Sequence, residues 1–288
     1  MKTAALILAV AFSMLVAAPL PAEDAAVPKR PTKLPELTAH RGESHDAPEN
    51  TLAAVRLGWE RGVDAVEIDV HLSKDGKLIV IHDADTERVA GQKLVVKQTD
   101  SDALRKLDAG SWGKWKESGK YAGEKLPLLE EVLATIPAGK RLFLEIKIGP
   151  EAVAPVAAAL TAAGTPADRV CIIAFNIETI REARKVLPHI KAYWLTSQKK
   201  DESGKWLPTV EDLIKKAKSA DASGLDIGAA KAPVDVAFVK SVKDAGLEMY
   251  VWTIDDPKLA RKLADAGVDG ITTNRAQWMR EQFRGAGE

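Results

Sequence analysis

The stretch Val66–Asp83, VEIDVHLSKDGKLIVIHD, decides how the rest of the chain is read. Glu67 and Asp69 alternate with Val66, Ile68 and Val70, the period of a strand, so both carboxylates leave one face about 6.6 Å apart. Asp75-Gly76, within Lys74-Asp75-Gly76-Lys77, is a hairpin signal, and the apolar run Leu78–Ile81 supplies a return arm. With Asp75-Gly76 as a two-residue turn, Val70 faces Ile81 and Asp69 faces His82. The hairpin then sets an imidazole beside two acids: carboxylates suit a hard cation, and an imidazole suits proton transfer. An acid on a strand is more often a solvated face. Here the same chemistry recurs further along the chain.

Outward from this stretch the whole chain sets bounds. With 288 residues, 46% of them hydrophobic, it can bury a full core. Lys+Arg and Asp+Glu both number 41, so there is no net charge and no basic stripe, which disfavours nucleic acid as a partner. Residues 1–22 read as a secretory signal peptide: Lys2, the apolar run Ala4–Ala18, then Pro19-Leu20-Pro21-Ala22 with cleavage after Ala22. The run is too short to favour a retained span, so the expectation is export, to the periplasm or beyond, with no stable membrane insertion after cleavage. Residues 23–35, rich in Pro, Ala and charge, read as a linker ahead of a folded domain over 36–288. Cys171 is the only cysteine and lies in the apolar run Val170–Ala174, the setting of a buried small hydrophobe.

From Leu126 onward strands and helices alternate, the pattern of a parallel sheet. Nine strand-like runs begin near residues 37, 65, 78, 141, 170, 191, 223, 248 and 269. If Leu78–Ile81 only returns the hairpin, eight remain, the number that closes a (β/α)8 TIM barrel, an α/β fold. Asn50 is the expected N-cap of the first helix, which begins at Leu52. Residues 84–125 carry Trp112, Trp115 and Tyr121 but no sustained period, and read as a small insertion or cap after the second strand's hairpin. Polar groups end many of the strands: His40-Arg41, Glu67 and Asp69, Glu145 and Lys147, Phe175-Asn176, Trp252-Thr253. In a barrel all of these open on one rim, where such enzymes carry their sites.

These residues carry a resemblance. His40-Arg41-Gly42 with Pro48-Glu49-Asn50-Thr51, Glu67-x-Asp69, Asp75-Gly76 followed by His82-Asp83, Leu128–Leu133, Glu145-x-Lys147, and Val251-Trp252-Thr253 with Gly267-Val268-Asp269-Gly270 are similar to the glycerophosphodiester phosphodiesterase family over about residues 37 to 280. The resemblance implies a TIM barrel with a small insertion after the His-Asp pair, one divalent cation, and cleavage of glycerophosphodiesters to glycerol 3-phosphate and an alcohol. The chain departs from the family's usual residues at Ala174, Asp226, Asp255 and Asn274, expected on the alcohol or glycerol side of the pocket.

Each residue then has an expected role. Glu67, Asp69 and Glu145 are hard oxygen ligands for Ca²⁺ or Mg²⁺, and without soft ligands zinc or copper is disfavoured. His40 and His82, two of five histidines, share acid and base, with His40 favoured as base, although sequence does not order them. The attacking oxygen is that of water or of the glycerol 2-hydroxyl. Arg41 and Lys147 hold the phosphate, or pair with Glu49 and the metal acids. Trp252 walls the glycerol side or sits in the core, and Asp83 and Glu49 orient His82 and Arg41. The competing activities are a phospholipase of the same barrel, favoured by an apolar cap around Trp112, and a phosphoester-binding protein without turnover.

Overall fold

The computed structural model describes residues 34–285. The expected signal peptide, and all but the last two residues of the expected linker, lie outside that range. The strands are β1 (Glu36–Ala39), β2 (Ala65–Leu72), β3 (Leu78–Val80), β4 (Arg141–Ile146), β5 (Val170–Ala174), β6 (Lys191–Thr196), β7 (Lys199–Lys200), β8 (Trp206–Leu207), β9 (Gly224–Gly228), β10 (Glu248–Trp252) and β11 (Gly270–Thr273). Eight of them, β1, β2, β4, β5, β6, β9, β10 and β11, pair in parallel in that order, and β1 pairs with both β2 and β11. The barrel is therefore closed. Strand β3 is the antiparallel return arm on β2, and β7 with β8 forms a separate ribbon.

The helices are α1 (Leu52–Glu60), α2 (Glu87–Ala90), α3 (Ser101–Leu104), α4 (Leu129–Leu133), α5 (Val153–Ala162), α6 (Ile177–Val186), α7 (Val210–Ser219), α8 (Val236–Asp244), α9 (Pro257–Ala266) and α10 (Ala276–Gly285). Local chemistry fixes their ends. Helix α9, for instance, starts with Pro257 after Asp256, whose carboxylate accepts from Lys258 N, and stops at Gly267 with φ +93°. Among the described residues no helix is long and apolar enough to cross a membrane.

Strand parity divides the core in two. Val66, Ile68 and Val70 of β2 and Leu142, Leu144 and Ile146 of β4 face the helices and build the main apolar layer. Their alternates face inward: Ala65, Phe143, Cys171, Ile173, Tyr193, Leu195 and Tyr250 fill the barrel. Phe143, Tyr193 and Tyr250 lie with ring centroids 4.8–5.9 Å apart, a plug beneath the acids. Burying each such ring stabilises the fold by about 1.5–3 kcal/mol. Cys171 is part of this filling, and burial pushes its thiol up to about 12, so it is an inert hydrophobe.

Two local expectations are corrected. The hairpin pairs Val70 with Val80, His71 with Ile79 and Leu72 with Leu78, one residue off the register of a two-residue turn. Lys74-Asp75-Gly76 forms a three-residue loop: Gly76 N donates to Ser73 O at 3.0 Å, and Gly76 takes φ +76°. Asp75 favours it by accepting from Ser73 Oγ at 2.6 Å and from Ser101 Oγ at 2.7 Å, across 26 residues. The N-cap of α1 is Thr51, whose hydroxyl accepts from Ala54 N, and Asn50 is released for another task.

The connection from β3 to α4 has a small core of its own. Val96, Leu104, Ala109 and Leu126 pack with Ile79 and Ile81, so aliphatic residues rather than the aromatic trio fill it. Trp115 and Tyr121 meet edge to face at 5.2 Å, while Trp112 is 42% exposed. The segment is fastened over the β1–α1 loop: Lys114 Nζ donates to His45 O and Tyr121 Oη to Asp46 O, both at 2.7 Å.

That loop turns at Gly42, where φ is +78° and an added Cβ would stand 2.5 Å from the Ala54 carbonyl carbon. Gly42→Ala is expected to cost about 2–4 kcal/mol, read as a lower denaturant midpoint at unchanged m.

Candidate active site

The acids come together through register. Asp69 of β2 stands opposite Glu145 of β4, with Glu67 one inward position earlier. One oxygen from each lies within 4.8 Å of the others, and the three residues are 3% (Glu67), 1% (Asp69) and 8% (Glu145) exposed. Three like charges out of water need neutralising. Arg41 N donates to Glu67 Oε2 at 2.8 Å, and Arg41 Nε lies 3.4 Å from Asp69 Oδ2. Lys147 Nζ lies 2.7 Å from Glu145 Oε1 and 3.4 Å from Asp69 Oδ1. Asn50 holds Asp69 at both ends, donating from Nδ2 to Oδ2 at 2.8 Å and accepting from the Asp69 N at 3.2 Å.

These contacts leave the triad unfinished. Glu67 Oε1, Asp69 Oδ1 and Glu145 Oε1 are buried and have no aligned hydrogen-bond donor among the described residues; Lys147 is near two of them but out of line. Burial, then Asp69 and Glu145, hold the Glu67 carboxyl well above the usual carboxylate range. Burial and Asp69 push Glu145 up to about 7 against the pull of Lys147. Asp69 is lowered despite its burial, because Lys147 and Arg41 both face it. An all-oxygen donor set with unsatisfied atoms converging on one point fits a hard divalent cation of the Ca²⁺ or Mg²⁺ kind. Among the described residues no thiol or imidazole joins the cluster, as a softer metal would require.

The two histidines flank Asp69, which acts electrostatically on both rings. Their backing differs. His40 Nδ1 lies 2.7 Å from Asn274 Oδ1, a neutral acceptor, and burial followed by Arg41 lowers the ring to about 4, so it is an uncharged imidazole at neutral pH. His82 Nδ1 lies 2.6 Å from Asp83 Oδ1. Burial raises the Asp83 carboxyl, but the hydrogen bonds from Arg88 and His82 outweigh it and lower it to about 2, so His82 is backed by a charge.

From Asp83 a chain of ion pairs runs back to the triad. Arg88 Nε donates to Asp83 Oδ2 at 2.6 Å, and its other nitrogens donate to Glu49 at 2.7 and 2.8 Å. Glu49 Oε1 accepts in turn from Arg41 Nη1 at 2.8 Å. Arg88, in α2, thus ties the insertion to both Asp83 and Glu49. Arg88→Ala is expected to lower kcat about tenfold with little change in melting temperature, checked by steady-state kinetics beside calorimetry.

The remaining expected residues lie at the rim or near it. Trp252 donates from Nε1 to Asp226 O at 3.1 Å and meets the exposed Phe175 edge to face at 5.5 Å. Phe175 in turn lies 5.9 Å below Lys147 Nζ. Asn176 caps α6, accepting from Glu178 N, so its polar group serves the helix and not the pocket.

Of the four departures, Asp255 and Asn274 stand behind His40 and line the cleft next to it. A third, Ala174, faces the helices. Asp226 is 2% exposed, has an unpartnered Oδ1, and is pushed by burial and then by Glu145 up to about 8. His71 donates from Nε2 to the His82 carbonyl at 3.0 Å and fixes that backbone.

Beside His40 a cleft of about 400 Å³ is bounded by Glu49, Arg88, Trp112, Lys114, Asp255 and Arg275, among others. A larger hollow at the other end of the barrel holds charges already matched, as in the pairs Arg141–Glu36, Lys243–Asp269 and Arg280–Asp64. The unsatisfied acids lie at the C-terminal rim.

A closed (β/α)8 barrel with a buried acidic triad, two cationic side chains and two histidines at that rim defines a hydrolase of phosphate esters. Residues 40–277 match the Glycerophosphoryl diester phosphodiesterase family, and the chain belongs to it. A glycerophosphodiester phosphodiesterase of Caldanaerobacter subterraneus subsp. tengcongensis is 34% identical over 82% of this chain and 92% of its own length. One from Bacillus subtilis is 28% identical over 82% of each. Among solved structures, an Oleispira antarctica phosphodiesterase in complex with the product sn-glycerol-3-phosphate is 31% identical, with a TM-score of 0.75 over 87% of this chain and 97% of that one. The chain is accordingly an enzyme, a phosphoric diester hydrolase of this family.

Proposed function

We propose that this protein hydrolyses glycerophosphodiesters to glycerol 3-phosphate and an alcohol with the aid of one divalent cation. The observation that carries the reading is the union of three buried carboxylate oxygens without an aligned donor among the described residues with two histidines of opposite backing. Glu67, Asp69 and Glu145 would hold the cation, which when bound would supply positive charge against the phosphodiester oxygens. Arg41 and Lys147, both on the flank of the triad, orient the phosphate and balance its charge. His40, neutral and with Nδ1 engaged, takes a proton on Nε2 from the attacking oxygen, either that of water or that of the glycerol 2-hydroxyl, the latter giving a cyclic phosphate that water then opens. His82, backed by the ionised Asp83, gives its Nε2 proton to the departing alcohol oxygen as the phosphorus–oxygen bond breaks. Trp252 and Phe175 wall the glycerol side. We also propose that the enzyme acts outside the cytoplasmic membrane, on the strength of the Ala4–Ala18 run and Pro19–Ala22; activity confined to the cytosolic fraction would overturn that assignment.

The test is release of glycerol 3-phosphate from a panel of glycerophosphodiesters with and without chelator. Release that chelator abolishes and added Ca²⁺ or Mg²⁺ restores is expected; full activity in excess chelator would remove the triad from the reaction. A second reading, hydrolysis of lipid phosphodiesters, has one feature in its favour, the exposed Trp112 beside the cleft. Lysolipid micelles in the same panel separate the two: preference for micelles at equal phosphodiester concentration would favour the lipid.

A further inference from the structure

The support behind His40 runs through two residues to which the mechanism above gives no part. His40 Nδ1 lies 2.7 Å from Asn274 Oδ1, and Ser44 Oγ donates to that same oxygen at 3.2 Å. On its other side Asn274 Nδ2 donates to Asp255 Oδ2 at 2.6 Å. Asp255 Oδ1 accepts from Thr273 Oγ1 at 2.8 Å and from the Asn274 N at 2.9 Å. Burial raises the Asp255 carboxyl, but its hydrogen bonds from Asn274 and Thr273 outweigh that and lower it, so it is ionised.

An amide can turn end for end, and an imidazole can carry its one proton on either nitrogen. Each choice here is forced by the one before it. An ionised carboxylate only accepts, so the amide end facing Asp255 is the NH2. The end facing His40 is then the carbonyl oxygen, which also only accepts. His40 Nδ1 must therefore donate, and the lone pair of the neutral ring sits on Nε2.

We propose that Asp255 is a positioning residue that sets the tautomer of His40 through Asn274. The proposal rests on the reading of His40 as the base, and the two are tested separately below. The charged groups that act most on His40 are Arg41 from its own strand end, Glu49 from the following loop and Asp69 from β2; the residue that follows β11 offers it the neutral Asn274 amide.

The measurement is the pair of ring ¹⁵N shifts of His40 in the metal-free protein, assigned by its loss in His40→Asn, alongside kcat and KM as functions of pH in the cation-loaded enzyme. In the native chain His40 shows a protonated Nδ1 and an unprotonated Nε2. In Asp255→Ala the amide is free to turn, the two shifts average toward a tautomer mixture, and kcat falls about tenfold with KM within twofold. A single Nδ1–H tautomer retained in Asp255→Ala overturns the proposal, whatever the activity. A mixed tautomer with unchanged kcat upholds the link from Asp255 to His40 and instead removes His40 as the base.

Should Asp255→Ala fail to fold, the exchange Asp255→Asn with Asn274→Asp keeps every hydrogen bond and reverses only the order of amide and carboxylate. The carboxylate then touches His40 directly and stabilises its charged form. The acid limb of the kcat profile is expected to move up by about one pH unit with the alkaline plateau retained. An unmoved acid limb overturns the proposal.

Discussion

In His82→Ala, turnover is expected to fall by about 10²–10⁴ while the affinity for a divalent cation stays within twofold, whereas Glu67→Ala loses both. The two halves of this expectation come from separate parts of the site. The His82 side chain is about a third exposed and is held by Asp83, which answers to Arg88 in the insertion, so removing the ring leaves all three acids in place. Its loss takes away the proton for the leaving alcohol and nothing that binds a cation. Glu67 is 3% exposed, and one of its oxygens is held by Arg41 N while the other has no donor. Truncating it removes a ligand and frees the loop that carries His40. Calorimetric titration with Ca²⁺ and Mg²⁺ beside kcat for both variants checks the split. Near-native turnover by His82→Ala would remove it as the acid, and cation binding retained in Glu67→Ala would remove Glu67 from the ligand set. The leaving group adds a further check: His82→Ala should recover most of its rate on a diester whose alcohol departs without protonation, such as a nitrophenol.

How much of this was legible in the sequence follows from how local each cause is. The inward face of β2 is a matter of period 2, and period 2 survives in the sequence, so Glu67 and Asp69 could be read as one face and Glu145 as their neighbour in kind. The barrel followed from counting strands once Leu78–Ile81 was set aside as a return arm. The hairpin register was missed by one residue because Asp75 is held from both sides, by Ser73 within the loop and by Ser101 across 26 residues, and no local pattern announces the second bond. The helpers were missed for the same reason. Asn50 looks like a helix cap, and only its distance from Asp69 in the fold shows that Thr51 does the capping. Arg88 lies in a segment without period and finds Glu49 across 39 residues. Asn274 reaches His40 across 234. A signal was nonetheless present at Asp255 and Asn274, one carboxylate and one amide at the ends of neighbouring strands; what was lacking was the knowledge that they bond each other.

Glu145→Gln is expected to have opposite effects on stability and function, which follows from what the triad costs the fold in the absence of a cation. Glu145 is 8% exposed, and burial with Asp69 raises its carboxyl from the usual 4.5 to about 7. A carboxyl whose folded value lies above its unfolded value destabilises the fold when ionised: the cost is absent below about 4.5, grows as pH rises, and is full above about 7. The amide has no charge to desolvate, so at pH 8 the metal-free variant should be more stable than the native chain by about 1–3 kcal/mol, discounted for the lost partner of Lys147. The gain should vanish near pH 4.5. Saturating cation should reverse the order, because the native protein gains binding free energy that a two-carboxylate site cannot match, and turnover should drop by at least about 10². Denaturant melts at pH 5 and pH 8, each with chelator and with cation, measure all four corners. A variant less stable than the native chain under chelator at pH 8 would mean that the pair with Lys147 outweighs the desolvation of the triad, and that these acids are held by the protein's own cations without need of a metal.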